Sequence, residues 1–142
     1  MQRKIHTDHT LIIDELEASI KIHNWNSILP FLPKGSYLVG GYIRDIILGR
    51  AIEVVDIDIV VPLNAIEIGK KISDNIESKF IILDKKREVV RIILNKIYID
   101  IANQVSATID GDLRSRDFSI NSIAFSFDKK CLFDPLNGLK DL

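Results

Sequence analysis

Apolar residues near the start of the chain recur at helical spacing. Leu11, Ile12, Leu16, Ile20 and Ile22 fall within residues 9–23, with acidic residues between them. A stripe of this period predicts an amphipathic helix. ILPFLPKGS then interrupts the pattern twice with proline and once with glycine. SYLVGG reads as a short strand ending in a turn, and YIRDIILG as a short helix stopped by Gly49. VVDIDIVVP predicts a strand closed by Pro62. Residues 64–78 set Ile66, Ile68, Ile72 and Ile76 among polar residues, another helical pattern. Three β-like runs follow, FIIL, EVVRIIL and IYIDIA, and Asn95-Lys96 joins the last two as a hairpin. Residues 103–112 are polar and read as loop. LRSRDFSINSIAFSF shows helical spacing at Phe118, Ile120, Ile123 and Ala124 before turning strand-like, and FDPLNGLKDL is rich in turn residues. There is no internal repeat and no low-complexity segment. These elements predict an α/β (α+β) fold: one small mixed, largely antiparallel sheet with helices packed on one side.

Composition narrows the class. At 142 residues and 46% hydrophobic content, the chain is one domain with enough apolar surface for a real core. Its formal charge of −1 is low for a protein that grips nucleic acid along its whole surface, so any such contact is local or lies elsewhere. Cys131 is the only cysteine, which excludes an internal disulfide and a cysteine-based zinc cluster and fits a reducing compartment. The N-terminal stretch lacks the apolar core of a signal peptide, and no run approaches the length of a membrane span. A cytoplasmic protein without a membrane partner is expected.

Two local choices work against folding stability. Asp56 and Asp58 stand inside an apolar strand, where positions two apart share a face. Paired carboxylates repel, and each resists desolvation. A divalent cation with oxygen ligands, such as magnesium, removes both costs and recruits substrate phosphates. Alone, the triplet fits a solvated acidic face slightly better than a metal site. Gly40-Gly41 follows a strand and precedes a helix, so backbone N–H groups there can approach an anion, and Arg44 stands one turn further on. Alone, a tight turn with a surface Arg44–Asp45 pair explains this better. In combination, a candidate phosphate turn precedes a candidate metal pair by about fifteen residues.

LVGGYIRDIILGR followed by DIDIVV resembles the head domain of the class II CCA-adding tRNA nucleotidyltransferase and bacterial poly(A) polymerase family, which belongs to the polymerase-β-like nucleotidyltransferases. DLRSRDFSINSIAF resembles that family's second motif, and LFDPLNGLKDL the DPxxGxxDL stretch that leads out of the head. The resemblance covers roughly residues 34–142 and leaves residues 1–33 as an N-terminal helical extension. It implies that Asp56 and Asp58 bind metal, two magnesium ions in all, and that Asp100 in IYIDIA is a third catalytic carboxylate. It implies nucleotide-binding roles for Gly40, Gly41, Arg44 and Arg116, and for Asp117 and Asn121, which read almost as readily as a helix cap and a hydrogen-bonded amide. The implied reaction transfers AMP or CMP from ATP or CTP to the 3′-hydroxyl of tRNA and releases pyrophosphate.

Three departures qualify the match. Ser115 replaces the first arginine of the usual RRD triplet. The segment after Asp100, IANQVSATIDG, lacks a longer loop carrying arginine and aromatic residues. The sequence stops where the family's neck, with its base-pairing side chains, and the tRNA-gripping body and tail would follow, so an isolated head domain is expected. The rival readings are a silent nucleotide- or RNA-binding module, a poly(A) polymerase head, and a small nucleotidyltransferase acting on a protein or a drug. His6, His9 and His23 read as exposed histidines, although His6 and His9 could share a helix face as metal ligands. Trp25 reads as packing rather than base-stacking.

Overall fold

The computed structural model describes residues 8–22, 25–50, 54–116 and 118–142. The first apolar stripe forms α1 (His9–Ile22), started by Asp8, whose carboxylate accepts the Thr10 N–H at 2.9 Å. Its Ile12, Leu16 and Ile20 recur every four residues, and all three are buried. His9 is exposed at its first turn, while His6 and His23 lie outside the described residues.

Strands β1 (Tyr37–Val39), β2 (Val55–Val61), β3 (Lys79–Asp84), β4 (Val89–Leu94), β5 (Ile97–Asn103), β6 (Ala124–Ser126) and β7 (Leu132–Phe133) form one seven-stranded sheet. Its order is β3-β4-β5-β2-β1-β6-β7. Only β2 and β5 pair in parallel; every other neighbour is antiparallel. The crossover between that parallel pair carries α3 (Ala65–Asn75) and the β3–β4 hairpin. Asn95, at φ 53°, turns β4 into β5 as the sequence predicts.

Strand alternation divides the sheet into two faces. Leu38, Ile57, Ile59, Val90, Ile92, Ile99, Ile101 and Phe125 point to one, where α1, α2 (Gly41–Ile47) and α3 cover them. Trp25 is part of this core and packs on Tyr42 and Phe127, with ring centroids 5.6 and 6.0 Å apart, so it packs as expected. Tyr37, Val39, Val60 and Ala124 point to the opposite face and meet Ile109 and Leu113 of α4 (Ile109–Arg114). The predicted helical layer thus holds for α1–α3, and α4 adds a short cover on the other side. The rest of that second face carries the polar side chains discussed below.

Two local expectations fail. Residues 103–112 are not all loop: Thr108 caps α4, accepting the Gly111 N–H at 3.1 Å, and Asp110 and Asp112 favour its first turn. Residues 118–124 do not form an α-helix. Phe118 is 65% exposed, only a 3-10 turn spans Ser119–Asn121, and Ala124 already belongs to β6. The apolar spacing there serves a turn and a strand. The reason lies in α5 (Gly138–Asp141), which packs against that turn.

The DPLNG stretch builds this contact. Asp134 accepts the N–H groups of Gly138 and Leu139 at 2.7 and 3.1 Å, and Ser119 donates to Asp141. A Cβ on Gly138 would stand 2.1 Å from the Ser119 carbonyl oxygen, inside its van der Waals surface. Backbone cannot yield as a flexible side chain does. Gly138→Ala is therefore expected to lower stability by about 1–3 kcal/mol, the usual cost of overpacking, in urea denaturation. An unchanged midpoint would show that the turn moves freely.

Candidate active site

The chemistry sits on the face that α1–α3 leave uncovered. In β2, Ile57 and Ile59 turn into the core, so Asp56 and Asp58 must turn out together. Parallel register sets Asp58 beside Asp100 of β5, whose neighbours Ile99 and Ile101 are core residues. Asp56 is exposed, whereas Asp58 is half-buried. Burial pushes the Asp58 carboxyl up to about 6, and repulsion from Asp100 and Asp56 adds to the shift. Arg116 and Arg91 oppose it only in part.

Gly40 explains the double glycine. It adopts φ 81° and ψ −146°, a conformation open mainly to glycine, and a Cβ there would lie 3.4 Å from Asp58 Oδ2. The turn thus brings backbone directly against the carboxylate before Gly41 starts α2. A cavity of about 150 Å³ lies among Gly41, Arg44, Asp45, Val54, Asp56 and Asp58. That is room for phosphate groups but small for a whole nucleotide, since enclosed ligand sites run to roughly 300–1,000 Å³. A larger cleft of about 420 Å³, between α1 and β6, opens on the helical side and shares no residue with the carboxylates.

The second motif meets the first here. Arg44 donates to Asn121 Oδ1 at 3.0 Å and to Asp45 at 2.9 Å, so the 3-10 turn aims the α2 arginine. Arg116 is half-buried, with one terminal nitrogen 3.5 Å from Asp112. Its Nε is buried and lacks a hydrogen-bond partner among the described residues. Asp117 lies outside the described residues. Ser115 is exposed at the end of α4, its hydroxyl donating to the Asp112 carbonyl at 2.6 Å.

Asp100 is brought to the site but is not free. Arg91 of β4 binds both of its oxygens, at 2.7 and 2.8 Å. Among the described residues, no three His, Cys, Asp or Glu side chains converge on one metal position. The oxygen-donor pair Asp56–Asp58 nonetheless fits a hard divalent cation, because such an ion relieves the repulsion and desolvation that raise Asp58.

Sequence reasoning overlooked Arg91 and Asp112. Counting outward from the Asn95-Lys96 turn pairs Arg91 with Asp100, so the first was readable from hairpin register. Asp112, 3% exposed, accepts the Val105 N–H at 3.0 Å and stands beside Arg116. Its signal was the unrecognised helix α4.

Comparison with known proteins agrees with this arrangement. The family described as the Poly A polymerase head domain matches residues 36–142. The CC-adding tRNA nucleotidyltransferase of Synechocystis sp. is 40% identical over 114 residues, 80% of this chain and 27% of the relative. That of Geobacter sulfurreducens is 37% identical over 110 residues, 76% of this chain and 25% of the relative. The chain thus spans about a quarter of the length of these curated relatives. A solved complex of a CCA-adding enzyme with ATP superposes with a TM-score of 0.74 at 31% identity, covering 93% of this chain and 34% of that one. The fold is therefore the polymerase-β-like nucleotidyltransferase fold. Paired carboxylates beside a glycine turn, joined to the second motif through Arg44 and Asn121, occur in a chain matched over residues 36–142, and the chain belongs to the Poly A polymerase head domain family.

Proposed function

We propose that this chain is the catalytic head of a template-independent RNA nucleotidyltransferase that adds AMP or CMP, from ATP or CTP, to the 3′-hydroxyl of tRNA. The observation that carries this reading is the meeting of Asp56 and Asp58 with the Gly40–Gly41 turn and the Arg44–Asn121 contact on one face. Residues 34–142 form the head in this reading. Residues 1–33 are an N-terminal extension in this reading, and its α1 (His9–Ile22) packs into the same core. The protein works in the cytoplasm, where these substrates are.

Nucleotidyltransferases of this family generally use divalent metals. Asp56 and Asp58 would hold magnesium, two ions in this reading, with Asp100 as a third carboxylate. Bound there, magnesium lowers the pKa of the attacking hydroxyl and neutralises charge on the triphosphate and the departing pyrophosphate. The protein's own groups do the rest. Gly40 and Gly41 let the backbone approach the phosphates, and Asn121 and Asp45 hold the Arg44 guanidinium beside the same cavity. Arg116, whose buried Nε has no hydrogen-bond partner among the described residues, supplies a second positive group for charge that develops on the α-phosphate.

The test is transfer itself. The protein is incubated with magnesium, labelled CTP or ATP, and tRNA lacking its 3′ end. Lengthened RNA, with one pyrophosphate released per addition, is expected from this chain joined to a relative's neck, body and tail, whereas the head alone is expected to bind nucleotide without selective CTP or ATP addition. Magnesium-dependent nucleotide binding without any transfer, even in the joined protein, would sink this reading in favour of a silent binding module.

A further inference from the structure

Arg91 has a place in the site that the resemblance does not account for. Val90 and Ile92 turn into the core, so Arg91 stands on the carboxylate face. Its Nε and one terminal nitrogen hold Asp100 side-on, and its guanidinium lies 5.9 Å from the Tyr98 ring centroid. Two such restraints fix a side chain that is otherwise among the most mobile. The fork uses two of the five guanidinium N–H groups, and the remaining three make no hydrogen bond with the described residues. The Arg91 side chain is 37% exposed, so those donors can reach solvent.

Position says what it would bind. The sheet order runs β1, then β2 with the carboxylate pair, then β5, then β4 with Arg91, and the cavity beside Gly41 and Arg44, at the turn that leaves β1, is lined by no residue of β5 or β4. Strands are about 4.8 Å apart, which sets Arg91 about 10 Å from the metal strand, on the side away from β1. In phosphoryl transfer the attacking and leaving oxygens lie roughly in line on opposite sides of the phosphorus. With the triphosphate and its leaving group in that cavity, the attacking strand enters from the Arg91 side. We propose that Arg91, positioned by Asp100, is a further substrate-binding residue that contacts the backbone phosphate at the 3′ end of the acceptor RNA. This rests on the nucleotidyltransferase reading above and gives Asp100 a positioning role through Arg91.

The test measures RNA binding without turnover. Fluorescence anisotropy follows a short 5′-labelled single-stranded RNA, with either a normal or a neutral methylphosphonate linkage before its last nucleotide. For the wild type, the neutral linkage is expected to weaken binding about tenfold, the size of one charge-assisted contact. Arg91→Ala should weaken the normal RNA about as much and no longer distinguish the two RNAs, in the way expected for a lost phosphate contact of about tenfold. Asp100→Asn should behave like Arg91→Ala, and Arg91→Lys should recover part of the discrimination. Nucleotide affinity with magnesium, read separately by calorimetry, should change less in Arg91→Ala than affinity for the normal RNA, because Arg91 does not line the cavity beside Arg44 and Asp58. A folded Arg91→Ala protein that still senses the neutral linkage overturns the assignment, as does one that loses nucleotide affinity instead. Should Arg91→Ala not fold, a wild type indifferent to the linkage overturns it equally. A wild type that fails to bind nucleotide at all would count against the parent reading, through a separate measurement.

Discussion

Replacing Asp56 and Asp58 together with alanine is expected to abolish magnesium-dependent binding of ATP and CTP while the fold survives. The two carboxylates project from a strand whose alternate residues, Ile57 and Ile59, are 1% exposed and carry the packing. Nothing in the core depends on the aspartates. Asp56 is exposed, and the half-buried charge of Asp58 lies near two further carboxylates, so alanine at both positions relieves repulsion instead of breaking a favourable contact. The functional loss runs the other way. Metal-based neutralisation of transition-state charge is worth several kcal/mol, so each single replacement should lower kcat by roughly a thousandfold or more. Titration calorimetry of nucleotide with and without magnesium, beside circular dichroism, separates the two effects. A folded double mutant with unchanged nucleotide affinity would remove the metal-site assignment.

Much of this could be read from the chain because local and global signals agree. The period of Ile12, Leu16 and Ile20, the glycine after β1, the alternation around Asp56 and Asp58, and the two-residue turn at Asn95 each point to the observed element. Where the reading failed, tertiary contact decided. Gly111 and the polar run around it masked a helix that Thr108 caps. Ile120, Ile123 and Ala124 mimic a helical stripe but divide between a turn and a strand, because the chain's last helix presses Gly138 onto Ser119. The site shows the same division. Residues within a single motif were visible, whereas the Arg44–Asn121 bridge joins positions 77 residues apart and appears only in the fold. The Arg91–Asp100 fork spans only 9 residues, and hairpin register would have shown it.

Asp58 makes stability depend on pH and on metal together. Its carboxyl is pushed up to about 6, first by burial and then by Asp100 and Asp56, against an ordinary value of 3.8 in the unfolded chain. The folded state therefore holds the proton more tightly than the unfolded state. Below about pH 4 the acid is protonated in both states and this group carries no charge penalty. As pH rises through 6 the native protein must accept a half-buried anion, and stability falls. Two pKa units correspond to about 3 kcal/mol, an upper figure because solvent screens a half-buried carboxylate. For a chain of this size that is on the order of 10 °C in Tm. In metal-free buffer, Asp58→Asn should match the wild type near pH 4 and exceed its stability by up to about 3 kcal/mol above pH 7. Magnesium should close that gap by stabilising only the wild type, because it supplies the positive charge that Arg91 and Arg116 supply in part. Thermal denaturation of both proteins from pH 4 to pH 8, with and without magnesium, reads the whole pattern. A difference between the two proteins that stays constant with pH would mean that Asp58 is solvated like an ordinary surface acid. A pH-dependent difference that magnesium leaves untouched would mean that the carboxylate pair does not hold the ion.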